Sequence, residues 1–197
     1  MGREKSSFAI IGAGMGGLAV AATLRQIGVD VHIYEQAPRF ARIGAGVQMM
    51  PNSMKVLRGV GVETPLRRVA FQPYSHLNRE GDTGRVLREL PMPEDLFGAP
   101  YLCMHRADLH EALLGAVPME IIRLNKKLVG LDQRAGGVEL RFADGTRAQA
   151  DAVVGADGVH SVYDGSGKTV ALRALVHVGL CHLLRKGRGY GPFVVFT

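Results

Sequence analysis

The stretch FAIIGAGMGGLAVAATLRQIGVDVHIYE, Phe8 to Glu35, decides how the chain must fold. A short apolar run, Phe8 to Ile11, enters Gly12-Ala13-Gly14-Met15-Gly16-Gly17. An alanine-rich helical segment follows to about Gln26, and Gly28 stands where a helix would stop. A second strand, Val29 to Tyr34, ends on the acidic Glu35. Gly12 permits a tight strand-to-helix turn, Gly14 leaves backbone open to a pyrophosphate, and Gly17 lets the helix press on the strand. The exposed N–H groups and the positive dipole end of that helix then favour phosphate. Glu35 is placed to accept hydrogen bonds from an adenosine ribose, and its charge would repel a 2′-phosphate. A GxGxxG pattern alone is weak evidence. Here it follows a strand, opens a helix and has an acidic residue roughly 20 positions on, which together predict a dinucleotide-binding unit. This stretch does not choose between FAD and NAD.

The bulk composition narrows the class further. A chain of 197 residues can bury one substantial core, with room for a small second lobe. At 47% hydrophobic and 21% charged residues it has the make-up of an ordinary soluble globular protein, which excludes wholesale disorder. Cys103 and Cys181 make neither a disulfide framework nor a metal-ligand spacing, so the expected setting is reducing and cytoplasmic. No apolar segment is long enough to span a bilayer, and no membrane partner is expected. Arg3 and Lys5 precede the apolar Phe8–Ile11 run as in a signal peptide, but that run is too short and enters the glycine turn at once. Met1-Gly2 with Ser6 fits the loose myristoylation pattern, which short sequences match by chance.

The net charge of +6 could point to nucleic acid, so its distribution matters. From Tyr163 onward there are five basic residues (Lys168, Arg173, Arg185, Lys186 and Arg188) against one acid, Asp164. The body of the chain is nearly balanced. With no aromatic platforms and no folded basic face, no nucleic-acid partner is expected.

Beyond Glu35 the chain alternates loops with short elements. Gln36 to Arg39 reads as loop, and Arg42-Ile43-Gly44-Ala45-Gly46-Val47-Gln48 marks backbone that something approaches closely. Pro51-Asn52-Ser53 starts a short helix closed by Gly59 and Gly61, expected to turn Met54, Val56 and Leu57 inward. Pro65 begins another helical piece that ends near Val69. The prolines and the Glu80–Gly84 turn within residues 73–100 separate candidate strands Tyr74–Asn78 and Arg85–Leu90, a hairpin excursion toward a substrate lobe. Tyr101 returns to the core, and His105 to Leu113 reads as an amphipathic helix. Strands are expected over Ile121–Leu124 and Lys127–Asp132. A hairpin follows, Val138–Phe142 with Arg147–Ala150, around an Asp-Gly turn. The apolar strand Ala152–Val154 leads into Gly155-Ala156-Asp157-Gly158-Val159-His160-Ser161.

Four motifs in this order, GAGMGG with Glu35, RIGAGVQMMPN, HRADLHEAL and GADGVHS, resemble the flavoprotein aromatic-ring monooxygenases. Within that family the chain looks most like the salicylate hydroxylase and 6-hydroxynicotinate 3-monooxygenase branch. The resemblance covers about Ser7 to Val162. It implies an α/β fold: a Rossmann-like FAD-binding domain with a parallel sheet and β-hairpin excursions, C-terminally truncated. It implies FAD as cofactor, NADH or NADPH as transient reductant, and O2 and a small aromatic acid as substrates. The activity it implies is ring hydroxylation through a flavin C4a-hydroperoxide.

The same resemblance assigns roles to individual residues. Gly12, Gly14 and Gly17 would line the pyrophosphate, and Glu35 the adenosine ribose. Arg42 and the Gly44, Gly46 and Val47 backbone would lie beside the ribityl and flavin portions. Arg106 would aim a planar, multi-donor guanidinium at the FAD backbone. Asp157 and Gly158 would pack under the pyrophosphate. Gln48 would be substrate-proximal, where the hydroxynicotinate enzymes are expected to carry histidine, which leaves the substrate ring open. No residue is named as catalytic base. The histidines at 32, 76, 105, 110 and 160 have no partnered spacing and read as structural, and Met49-Met50 reads as adaptable packing.

After Val162 the resemblance stops, so residues 1–162 read as the FAD-binding domain and 163–197 as a divergent tail. The family's later substrate strands and ribityl-binding Gly-Asp motif are missing, and Gly81-Asp82 is a hairpin turn in the wrong place. Gly165 to Thr169 imitates the end of a P-loop but lacks its first glycine. Val170–Leu184 could be an apolar helix or two strands, and Phe193–Phe196 a short strand. A shifted reading frame or truncated gene is the expected explanation, which sequencing the coding DNA across Val162 would settle. The competing readings are a non-catalytic remnant that still holds FAD or its ADP moiety, and an NAD-dependent dehydrogenase. The latter leaves GADGVHS and RIGAGVQ without a role.

Overall fold

The computed structural model describes residues 6–42, 44–134, 136–158 and 193–195. The imitation P-loop, the apolar 170–184 stretch and Cys181 lie outside them. The chain divides into two compact units: one contains the described residues of Met1–Ala41 and Leu113–Thr197, the other Arg42–Ala112.

The first unit is organised by the apolar run at its start. Ser7–Ile11 forms β1, Met15–Gln26 forms α1, and Asp30–Tyr34 forms β2, parallel to β1. Ala152–Gly155 (β11) pairs with the other edge of β1, also parallel, placing Ile10 opposite Val154 and Ile11 opposite Gly155. Ile122–Arg123 (β7) continues the sheet beyond β2, and Phe193–Val195 (β12) beyond β11, giving the order β12-β11-β1-β2-β7. The expected strand near Phe193 is therefore present and paired, Val153 opposite Phe193. At the entry to the sheet the Asp151 carboxylate accepts the Ser7 N–H at 2.7 Å, and the Asp151 N–H donates to the Ser7 carbonyl at 3.0 Å. These bonds tie β1 to a segment more than 140 residues away in sequence.

Strands covered on both faces must be apolar on both, and β1 is: Ala9, Ile10 and Ile11 are all buried. Helix α1 turns Leu18, Ala21 and Leu24 into the core. Its Gly17 lies against Ile10. The opposite face of β1, Ala9 and Ile11, packs with Val153 on an antiparallel three-stranded sheet. That sheet is Leu128–Arg134 (β8), Gly137–Phe142 (β9) and Arg147–Ala150 (β10), in the order β10-β9-β8. Leu128, Val138, Leu140, Phe142 and Ala150 supply its buried side, and the Tyr34 and Phe142 rings meet at 4.8 Å. The one carboxylate buried on this sheet, Glu139, accepts from Arg147 at 2.8 Å, as a charge removed from water must. Before β7, Met119–Ile121 takes a short 3-10 turn, so the expected Ile121–Leu124 strand is shorter than the apolar run suggests.

The second unit holds Gly46–Met49 (β3), Pro51–Gly59 (α2), Glu63–Val69 (α3), Ser75–Arg79 (β4), Val86–Pro91 (β5), Glu94–Phe97 (α4) and Leu102–His105 (β6). It also holds the start of Arg106–Leu114 (α5). Strands β4 and β5 pair antiparallel as the expected hairpin. Strands β3 and β6 pair antiparallel, Val47 opposite Met104 and Gln48 opposite Cys103. The sequence reading missed both of these strands. The Gly44–Gly46 segment reads only as backbone that something approaches closely, because its strand character comes from a partner more than 50 residues on.

One inward assignment on α2 is corrected. Met54 and Leu57 are buried, but Val56 is 37% exposed. Positions 54 and 57 share a helix face at a spacing of three, and 56 falls outside that stripe. Helices α2, α3 and α4 are laced by charge: Glu63 takes both Arg58 and Arg67, and Glu94 takes Arg67.

Candidate functional site

In the first unit, the parallel pairing of β1 with β11 brings two sequence-distant glycine motifs into contact. Gly12 has φ +101°, and a Cβ there would overlap the Ala156 carbonyl oxygen and lie 3.1 Å from the Asp157 Cα. Only glycine fits that crossing. Gly17 lies so close to the turn that a Cβ would overlap the Gly12 carbonyl oxygen. Gly14 is different: its φ of −73° suits any residue, and a Cβ there would meet nothing within 4 Å. The glycines at 12 and 17 hold the turn closed, while Gly14 keeps its outer surface bare.

That bare surface is the start of α1. Gly14 occupies the N-cap, no side chain caps the helix, and its first turn holds no acidic residue. Natural helices usually satisfy their first N–H groups with a Ser, Thr, Asp or Asn side chain. Here the helix itself supplies neither a capping side chain nor an acid in its first turn, an arrangement whose positive dipole end suits an anion.

Glu35, at the end of β2, holds the turn from the side. Its Oε2 accepts the Ala13 N–H at 2.7 Å and its Oε1 accepts the Ala37 N–H at 2.8 Å. Each carboxylate oxygen has two lone pairs, so both can accept a further hydrogen bond from a ribose hydroxyl. Asp157 is half-buried beside Gly12, and Gly158 follows it on the surface.

The second unit gathers the remaining candidates. Gly44 has φ +141°, and a Cβ there would lie 3.0 Å from both Cβ and Cδ of Arg106. The Arg106 N–H donates to the Ala45 carbonyl at 3.0 Å. Arg106 is the first residue of α5 and is exposed. Arg42 reaches two carboxylates on that helix, Asp108 at 2.5 Å and Glu111 at 2.6 Å. The hydrogen bond to Asp108 is the main cause that pushes its guanidinium above its ordinary pKa, followed by the charge of Asp108, with Glu111 adding to both effects. Val47 is half-buried and Gln48 exposed on β3. His105 caps α5, its Nδ1 accepting the Ala107 N–H at 3.1 Å.

The candidates thus fall into two clusters, Gly12, Gly14, Gly17, Glu35, Asp157 and Gly158 on one unit and Arg42, Gly44, Gly46, Val47, Gln48 and Arg106 on the other. Two contributors were missed from sequence, Asp108 and Glu111. Their signal was present, since a spacing of three puts both carboxylates on one face of α5. Among the described residues no His, Cys, Asp and Glu cluster could hold a metal, and no helix is long and apolar enough to cross a membrane.

Residues 5–171 match the model of the FAD binding domain. The chain belongs to that family. The bare helix start, the crossing at Gly12 and the anchored Glu35 fit the pyrophosphate and ribose of FAD. The family's relatives include 6-hydroxynicotinate 3-monooxygenase of Bordetella bronchiseptica, 41% identical over 80% of this chain and 42% of that protein. Another is 3-amino-4-hydroxybenzoate 2-monooxygenase of Streptomyces cremeus, 42% identical over 78% of this chain and 40% of that protein. Among solved structures, 2,6-dihydroxypyridine-3-hydroxylase from Arthrobacter nicotinovorans is 31% identical with a TM-score of 0.67, over 82% of this chain and 39% of that one. Klebsiella pneumoniae HpxO complexed with FAD and uric acid is 26% identical with a TM-score of 0.70, over 79% of this chain and 40% of that one. The chain spans about two-fifths of the length of these relatives.

Proposed function

We propose that this chain is the FAD-binding part of a monooxygenase that hydroxylates a small aromatic or heteroaromatic acid. The observation that carries the reading is the unprotected start of α1, with its bare Gly14, beside a Glu35 already oriented by Ala13 and Ala37. The pyrophosphate would accept the first N–H groups of α1, and Glu35 would accept from the adenosine ribose. Asp157 and Gly158 would lie under the pyrophosphate. Arg106 would donate its guanidinium fork to phosphate oxygens. Gly44, Gly46 and Val47 would flank the ribityl chain and flavin, and Gln48 the substrate ring.

The bound flavin would supply the redox chemistry for oxygenation of the ring, with NADH or NADPH as the reductant and O2 as the oxygen source. The protein's part is to bind, orient and exclude water around that centre. The matched relatives named for hydroxynicotinate, aminohydroxybenzoate and dihydroxypyridine support a ring bearing a hydroxyl or amino group.

Titration of the purified chain with FAD, followed by flavin fluorescence, tests the binding half. Saturation at micromolar FAD, about −8 kcal/mol, is expected, and absence of binding by a monodisperse sample would refute it. Oxidation of NADH or NADPH with formation of hydroxylated acid tests the catalytic half. Flavin binding without product would favour the reading of a chain that holds the cofactor and does not turn over.

A further inference from the structure

Arg42 is an odd ligand for the flavin portion of FAD. Its single positive charge faces two carboxylates, Asp108 at 2.5 Å and Glu111 at 2.6 Å, so the cluster is net negative and two of its donors are already engaged. A guanidinium presented in this way attracts an anion poorly. It is well suited to another task. Asp108 and Glu111 stand one helical turn apart on α5, and a planar fork that spans both fastens the chain at Arg42 to the helix. Two residues on, Gly44 lies against the Arg106 side chain and Ala45 accepts the Arg106 N–H. The missing Cβ at Gly44 and the Ala45 bond hold the chain on Arg106, the first residue of α5, while the ion pairs hold Arg42 on Asp108 and Glu111 of the same helix.

We propose that Asp108 and Glu111 are positioning residues for the cofactor site: by clamping Arg42 they hold the Gly44–Gly46 backbone against Arg106 and so fix the direction in which its guanidinium points. The inference rests on the reading of Arg106 as an FAD ligand. A pre-set arginine loses less rotamer freedom on binding than a loose one, and this is where the clamp contributes to affinity. Arg42 then acts as a strut and not as a ligand.

The two roles predict opposite signs. Neutralising the clamp in the double variant Asp108→Asn, Glu111→Gln removes two negative charges beside Arg42. If Arg42 contacted FAD directly, freeing its charge would make FAD bind more tightly. If Arg42 is a strut, FAD binds more weakly, by about five-fold given the modest strength of exposed ion pairs. Arg42→Gln should weaken FAD to the same degree, and Arg42→Lys should not restore it, because a point charge cannot span both carboxylates.

Amide exchange at Arg106 is the readout that does not depend on FAD. Loss of the clamp should free the bond to Ala45 and speed that exchange several-fold, leaving Leu109 and Leu113 in the same helix protected. Unchanged exchange at Arg106, or unchanged or tighter FAD binding in the double variant, would overturn the proposal. Failure of the wild-type chain to bind FAD would instead refute the flavin reading, and the exchange data would still decide the clamp.

Discussion

The Glu35 carboxylate accepts the backbone N–H of Ala13, 22 positions earlier, at 2.7 Å. An acidic residue at this place is ordinarily read only as a ribose ligand. Here it also closes the glycine turn before any ligand arrives, and its second oxygen holds Ala37 at 2.8 Å. One side chain thus links the ends of β1 and β2. In Glu35→Gln one of the two oxygens becomes a donor, so either Ala13 or Ala37 loses its acceptor. Urea unfolding should show a loss of about 1–2 kcal/mol, together with weaker FAD binding. Unchanged stability would mean that the anchoring bonds do not hold in solution.

The glycines of the turn should separate by role. Gly17→Ala places a methyl on the Gly12 carbonyl and should destabilise the fold by about 1–3 kcal/mol. Gly14→Ala meets nothing within 4 Å at a permitted φ, so its stability should stay within about 0.5 kcal/mol of the parent. Its FAD affinity should nevertheless fall, because in the proposed site the methyl would stand where the pyrophosphate approaches. Comparable unfolding midpoints for the two variants would contradict this division.

Acid stability should depend on the β9–β10 turn. Asp144 accepts from the Lys126 ammonium at 2.6 Å and from the Thr146 hydroxyl and N–H, and these bonds, the Lys126 one first, hold its carboxyl down at about 2 from the usual 3.8. A carboxylate whose pKa is depressed by folding stabilises the fold above its unfolded value and loses that contribution as pH falls through the folded one. Between pH 4 and pH 2 the wild-type chain should therefore lose stability more steeply than Asp144→Asn. Parallel acid-unfolding slopes for the two would remove Asp144 from the account.

The α2 correction gives a packing test. Met54 is fully buried, and Met54→Ala should cost about 2–5 kcal/mol. Val56 is 37% exposed, and Val56→Ala should stay within about 0.5 kcal/mol. Thermal or urea unfolding would show equal losses only if Val56 packed inward as its hydrophobicity suggests.

Legibility from sequence followed the range of the interactions. Strand β1, the glycine turn, α1, β2 and Glu35 form one local unit whose apolar periodicity, turn glycines and acidic terminus all lie within 28 residues, so each could be assigned in place. The β9–β10 hairpin was equally plain, because Ala143-Asp144-Gly145-Thr146 specifies its own turn. Strands β3 and β6 were not, since Gly46–Met49 and Leu102–His105 are only four residues each, too short for their alternation to stand out, and each becomes a strand by pairing with the other. Arg42 and Arg106 were singled out by resemblance, but Asp108 and Glu111 were not singled out until the fold brought Arg42 between them.

The residues from Phe8 to Glu35 determined by themselves that this chain would carry a dinucleotide-type strand–turn–helix–strand unit, because turn geometry, helix polarity and strand periodicity are local properties of the backbone. Only the tertiary structure decided that Gly12 is required by the crossing of Ala156, and that Glu35 closes the turn through Ala13. Nor could sequence show that Arg42 is held by Asp108 and Glu111. Those contacts join positions 22 to 144 residues apart. Their geometry exists only once the parallel sheet has set β1 between β2 and β11, and once β3 has paired with β6 ahead of α5.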